Sequence, residues 1–362
     1  MILRRCTTTT TTTTTTTGTG RGRRGFSMTD SFLRERANGR GWLLADGATG
    51  TNLFDMGLAS GDAPELWNAD HPDRVRRLHH GFVAAGSDII LTNSFGGNGR
   101  RLMLHRAESR VHDLNRLAAQ HARAVADDAE RPVIVAGSVG PTGDLFAPLG
   151  ALTEEAAVEV FAEQIEGLQA GGADLIWIET MSAVEEMRAA ATAAGRVGMP
   201  YVLTASFDTA GNTMMGVTPA AMAGTVGRFA PQPHGIGCNC GVGAADLLCS
   251  VLAMTEAAPD ATVIAKGNCG IPQVGAGGVT YSGTPEIMAD YARLALDAGA
   301  TVIGGCCGTR PEHIAAMRRA LAGHRRGERP GTAEIVARIG ALASPPAQAG
   351  AARRAGGGRR RG

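Results

Sequence analysis

Cys306 and Cys307 stand side by side in TVIGGCCGTR (301–310), closing an apolar run between Gly304-Gly305 and Gly308. A disulfide across one peptide bond is badly strained, so the two thiols either diverge or converge on something else. A third thiol, Cys240 in HGIGCNC (234–240), ends another short run and is followed by Gly241. Three thiols meeting at one point suit a tetrahedral Zn2+ site with a fourth position left open. The flanking glycines permit the bent backbone that lets neighbouring side chains reach one ion. A substrate thiol filling the open position would be held as thiolate at neutral pH, which favours alkyl transfer to sulfur over hydrolysis. Cys238, Cys249 and Cys269 read as buried small hydrophobes instead.

The segments that must bring these thiols together recur eight times. WLLADG (42–47), DIILTNSF (88–95), PVIVAGSVG (132–140) and DLIWIET (174–180) form the first four apolar runs. YVLTASF (201–207), HGIGCNC (234–240), TVIAKGN (262–268) and TVIGGCCG (301–308) form the second four, with 234–240 the weakest. Most lack alternation, as parallel strands buried on both faces do. Between them, 71–86, 154–172 and 284–299 combine amphipathic spacing with a terminal Gly stop, the last two behind a Thr/Glu start. Eight strand–helix repeats predict an α/β protein with a single (β/α)8 TIM barrel over 38–325, in preference to a doubly wound sheet. A barrel gathers its strand ends at one mouth: Asp46, Asn93, Ser138, Glu179, Ser206 with Asp208, Cys240, Asn268 and Cys306-Cys307. Taken singly, Asn93, Ser138, Ser206, Asp208 and Asn268 are equally well read as turn or cap residues.

The 362 residues are 44% hydrophobic and 19% charged with net charge +1, which describes a globular chain and gives no global field for nucleic acid or an acidic membrane. No apolar run reaches the roughly 18 residues of a membrane span. Seven cysteines without a secretory pattern fit reduced thiols in a cytoplasm. Residues 1–27, with an unbroken Thr7–Thr17 run, read as a low-complexity leader that is disordered or, with Met28 as an alternative start, untranslated. Residues 326–344 could form a terminal helix, used in homo-oligomer assembly or packed on the barrel, and 345–362 read as a disordered basic tail.

Several motifs together resemble the homocysteine S-methyltransferase family over about 40–322. DGATGT (46–51) is similar to its opening motif; TNSF (92–95), GSVGPTG (137–143) and WIET (177–180) to its next strand ends; CNCGVG (238–243) and GGCCGT (304–309) to its metal motifs. The resemblance implies zinc on Cys240, Cys306 and Cys307, and the homocysteine ammonium received by Asp46 and Glu179. An amino-acid carboxylate would then seek backbone N–H groups, such as those around Gly47 and around Ser138 in SVGPTG. Residues 43–68 and 206–218 look closely like bacterial betaine–homocysteine methyltransferases, so betaine is the expected donor. Animal members would cage its trimethylammonium with aromatic rings, yet this chain has Gly96-Gly97 where they carry a Tyr, and Trp67 is the only aromatic near GDAPELWN (61–68). The alternatives are the homocysteine-activating subunit of a split methionine synthase, served by a corrinoid protein, another sulfonium or ammonium donor, or a non-catalytic zinc barrel.

Overall fold

A computed structural model describes residues 32–37, 39–275 and 278–343. The leader expected over 1–27 and the basic tail expected over 345–362 lie outside the described residues. All eight expected strands form: β1 (Leu43–Leu44), β2 (Ile89–Leu91), β3 (Ile134–Val139), β4 (Leu175–Met181), β5 (Tyr201–Ala205), β6 (Ile236–Cys240), β7 (Val263–Gly267) and, after a hairpin, β10 (Val302–Gly305). They pair in parallel in the order β1-β10-β7-β6-β5-β4-β3-β2. The circle closes through a parallel bridge between Ala45 and Ile89, with Asp46 N donating to Ile89 O at 3.0 Å and Asp88 N to Leu44 O at 2.6 Å. The fold is a (β/α)8 barrel.

The uniform apolar runs divide by parity once folded. Leu43, Ala45, Ile89, Leu91, Ile134, Ala136, Leu175, Trp177, Val202, Ile264 and Val302 fill the barrel interior. Their neighbours Leu44, Ile90, Val135, Ile176, Leu203, Ala265 and Ile303 face the layer of helices. Period-two alternation of side chains makes the split, and both faces are apolar because both are buried. The same parity carries Ser138, Glu179 and Lys266 upward inside the barrel, two residues beyond Ala136, Trp177 and Ile264.

The outer helices follow their expected signals. Pro72–Ala85 ends at Gly86 in the left-handed region. Glu154–Ala170 and Pro285–Asp297 start at Thr153 and Thr284, whose side chains accept from Ala156 N and Ile287 N. A helix over Thr332–Ile339 packs on the barrel, with Ile335 fully buried and Arg338 Nη2 2.9 Å from Asp290 Oδ1.

Two elements were not expected. The helix Phe32–Arg36 precedes the expected start at 38 and places Leu33 against the interior cluster. An antiparallel hairpin, β8 (Pro272–Gly275) with β9 (Gly278–Tyr281), follows β7. Its segment is rich in Gly and has no apolar run, so local pairing rather than periodicity makes it.

Candidate active site and metal centre

The three cysteines converge. The sulfurs of Cys240, Cys306 and Cys307 all lie within 4.8 Å of one another, and Cys240 Sγ is 3.9 Å from Cys307 Sγ. Ligands on a tetrahedral zinc with 2.3 Å bonds would be about 3.8 Å apart, so the donor set fits that ion in type and spacing.

Backbone geometry explains the convergence. Cys238 is outward on β6, and Cys240 would follow it there; instead Cys240 adopts φ +61°, followed by Gly241 at +74°. Such a conformation is uncommon for a residue with a Cβ, and it persists only where surroundings impose it. At the other loop, Thr309 N donates to Cys306 O at 3.0 Å, closing a turn in which Gly308 has φ +77°. A Cβ on Gly308 would lie 2.3 Å from the Tyr281 ring, which packs against this turn.

Two asparagines brace these loops. Asn268 Oδ1 accepts from Cys307 N at 3.0 Å while its Nδ2 donates to Gly241 O at 2.8 Å, tying the two cysteine loops together. Asn239 clamps Thr180, another residue at positive φ (+62°): Oδ1 accepts from Thr180 N at 2.9 Å, and Nδ2 donates to Thr180 Oγ1 at 2.7 Å. Thr204 Oγ1 donates to the same Asn239 Oδ1 at 2.7 Å and accepts from Trp177 Nε1 at 3.2 Å, anchoring the network in the barrel interior. Contact with the Cys240 and Cys306 thiols holds the Cys307 thiol well below the usual range, and the same cluster pushes Cys240 up. One anionic sulfur is thus already favoured within the cluster.

A cavity of about 450 Å³ opens beside the sulfurs. Glu179, Ser138, Lys266 and Gly47 line it together with the three cysteines. Ser138 Oγ donates to Glu179 Oε1 at 2.5 Å. Burial pushes the Glu179 carboxyl up to about 7, against the pull of Lys266 and Ser138. Asp46 behaves differently. It is buried and sits behind the wall, its Oδ1 3.0 Å from Lys266 Nζ and its Oδ2 accepting from Leu91 N at 2.7 Å. Gly47 is required by packing, since a Cβ there would meet Thr309 O at 2.6 Å and the Phe82 ring at 2.8 Å.

Toward the mouth, Phe54 and Phe95 line the cavity with partly exposed rings, and the buried Glu65 lines it between them and Gly96. Glu65 Oε1 accepts from Gly96 N at 2.6 Å, and a Cβ on Gly96 would lie 3.1 Å from that oxygen. No ion pair involves Glu65 among the described residues, and burial raises its pKa. Trp67 is not at the mouth: it is buried in the core, edge-on to His71 at 4.8 Å and under the Arg74 guanidinium.

Sequence reasoning missed Lys266, Glu65, Phe54 and Phe95. Lys266 had a legible signal, being the one charged residue within TVIAKGN and of the same parity as the inward Ile264. Glu65 and the phenylalanines lie in loops and a short helix, where no period assigns direction. Cys238 is buried, Cys249 packs half-buried against the core, and Cys269 Sγ faces Gly283 O at 3.3 Å, all as unbridged small side chains. Asn93 holds the loop at Pro64 O at 2.7 Å.

Residues 43–321 match the family model described as homocysteine S-methyltransferase. The chain belongs to that family. Methionine synthase of Mycobacterium tuberculosis (strain ATCC 25618 / H37Rv) is 32% identical over 79% of this chain and 25% of its own length. Methionine synthase of Mycobacterium leprae (strain TN) is 31% identical over 77% of this chain and 24% of its own length. The chain therefore spans about a quarter of the length of the curated relatives it matches. The metallated form of the homocysteine methyltransferase MmuM from Escherichia coli superposes with a TM-score of 0.65 at 24% identity, covering 79% of this chain and 99% of that one. At that identity the likeness is one of fold. No helix among the described residues is long and apolar enough to cross a membrane.

Proposed function

We propose that this family member is a zinc-dependent homocysteine S-methyltransferase that makes methionine with betaine as the donor, leaving dimethylglycine. The observation that carries the reading is the convergence of Cys240, Cys306 and Cys307 on one cavity with Glu179. Those three cysteines would hold the ion, and zinc bound there would keep a substrate thiol deprotonated at neutral pH. A reducing, cytoplasmic setting suits three unbridged thiols.

The chain's own residues supply position. Glu179, oriented by Ser138, receives the substrate ammonium. The homocysteine sulfur then lies at the cysteine end of the cavity, and the donor enters from the mouth. The sulfur lone pair attacks the donor methyl in line; the C–N bond breaks and its electron pair leaves with the neutral tertiary amine. The thiol proton has already gone to solvent, so no general base acts at the methyl. Fixing the two reactants against one another can supply several kcal/mol of the barrier. Phe54, Phe95 and the carboxylate of Glu65 offer rings and negative charge to an onium methyl at the mouth. They stand in place of the aromatic cage expected of the animal enzymes.

A second reading is favoured by the relatives themselves: both are methionine synthases about four times longer than the matched region. On that reading the methyl group comes from a separate corrinoid protein. Incubating zinc-loaded protein and homocysteine with betaine, dimethylsulfoniopropionate, S-methylmethionine or methylcobalamin, and measuring methionine, separates the two. Methionine from betaine is expected; turnover from methylcobalamin alone would replace the first reading by the second.

A further inference from the structure

Neither the metal chemistry nor the donor subsite accounts for the buried cation in the cavity wall. Lys266 is only 3% exposed, yet it lines the cavity beside Glu179 and Cys306. A buried ammonium is tolerated only when it is paired and its remaining protons find acceptors. Nζ is ion-paired with Asp46 Oδ1 at 3.0 Å, and one of its three N–H donors is spent on Gly47 O at 3.3 Å. Asp46 spends its other oxygen on Leu91 N and does not line the cavity. The pair is therefore neutral as a unit but turns only its ammonium end toward the ligand space. No hydrogen bond joins Nζ to a cysteine sulfur among the described residues, so donor capacity is left for what enters the cavity.

The packing protects this arrangement. Lys266 pairs in register with Gly304 on β10, where a Cβ would lie 3.1 Å from the Lys266 Cγ and 2.9 Å from the Ala45 Cβ. Gly304 thus leaves room for the lysine stem. The floor of the cavity presents the Lys266 ammonium and the Glu179 carboxyl, which carries no ion pair among the described residues, beside the thiol cluster. That is the complement of an amino-acid zwitterion attached to a thiol.

We infer that Lys266 receives the α-carboxylate of the thiol substrate, while Glu179 takes the ammonium and Asp46 serves to hold Lys266 rather than to touch the ligand. The inference rests on the homocysteine reading above. It makes Lys266 the residue that separates a thiol amino acid from a simple aminothiol.

The test compares homocysteine with 3-aminopropane-1-thiol, which keeps the thiol and amine but lacks the carboxylate. Both are titrated calorimetrically into the zinc-loaded full chain, with zinc counted per chain for every variant. Wild type should bind the aminothiol about tenfold to hundredfold more weakly, the range for one hydrogen-bonded ionic contact. Asp46→Asn alone keeps the lysine and should keep this gap. In Asp46→Asn/Lys266→Met, which removes the buried pair together, homocysteine should weaken to near the level of the aminothiol, whose own affinity stays within about twofold. If the gap persists in the double variant, Lys266 is merely a structural partner of Asp46 and the inference is overturned. Equal affinity of wild type for both ligands overturns it without any variant. If zinc-loaded wild type binds neither, the homocysteine reading itself fails and the inference falls with it.

Discussion

Glu179 gives the site its pH response. Burial lifts its carboxyl to about 7, Cys306 and Asp46 add to the lift, and Lys266 and Ser138 oppose it. An ammonium ligand binds the ionised form, so binding releases the proton that the free protein holds at lower pH. Homocysteine affinity should therefore rise through pH 6 to 7 and bend near 7, over and above the slope from the thiol proton. Glu179→Gln should abolish that bend and weaken homocysteine about tenfold or more, leaving zinc in place. The sign for stability is opposite. A carboxyl raised from 4.5 contributes stability that is present at low pH and lost as pH climbs through about 7. Thermal melts of the substrate-free protein should thus show Glu179→Gln gaining on wild type above pH 7 and not at pH 4. At the mouth, Glu65→Gln should raise the donor KM about tenfold while homocysteine affinity stays unchanged, because Glu65 lies toward the mouth from the amino-acid end.

At the scale of elements, the metal centre is a joint between the ends of β6 and β10. Asn268 at the end of β7 bonds to both loops. Asn268→Ala should lower zinc affinity about tenfold to hundredfold, as loss of an orienting partner does, with circular dichroism unchanged. Cys306→Ala should lose stoichiometric zinc, whereas Cys249→Ala should keep it; equal zinc in both would show that the thiols hold no ion. The strands were legible because a buried parallel strand is a continuous apolar run. Asn268 was legible only as a polar strand end, and its bridging role depends on two loops 27 and 39 residues away that become adjacent through pairing of β6, β7 and β10.

At the scale of the whole molecule, the helix Thr332–Ile339 braces the outside of the barrel. Ile335 is fully buried, Arg338 pairs with Asp290, and Ala343 N donates to Asp246 Oδ2 at 3.0 Å. None of the described residues after 331 lines the cavity. Truncation after Gly331 should therefore keep zinc stoichiometry and homocysteine binding. It should lower Tm by roughly 5 °C, since burying one isoleucine contributes about 2 kcal/mol in a domain of this size.

What the sequence determined by itself was the set of barrel strands, their number, and the chemistry at their ends. Local spacing encodes these: apolar runs, cap residues, the adjacent cysteines and the glycines around them. Tertiary structure alone decided direction. Cys240 turns inward through a left-handed backbone that its own strand parity does not imply. Asp46, at a strand end like the others, turned out to lie behind the wall, because Lys266 on β7 takes its carboxylate. Trp67 went to the core and Phe54 and Phe95 to the mouth. Each outcome depends on which distant groups share a buried volume, where charge must be paired and a Cβ must find room, and no local pattern carries that information.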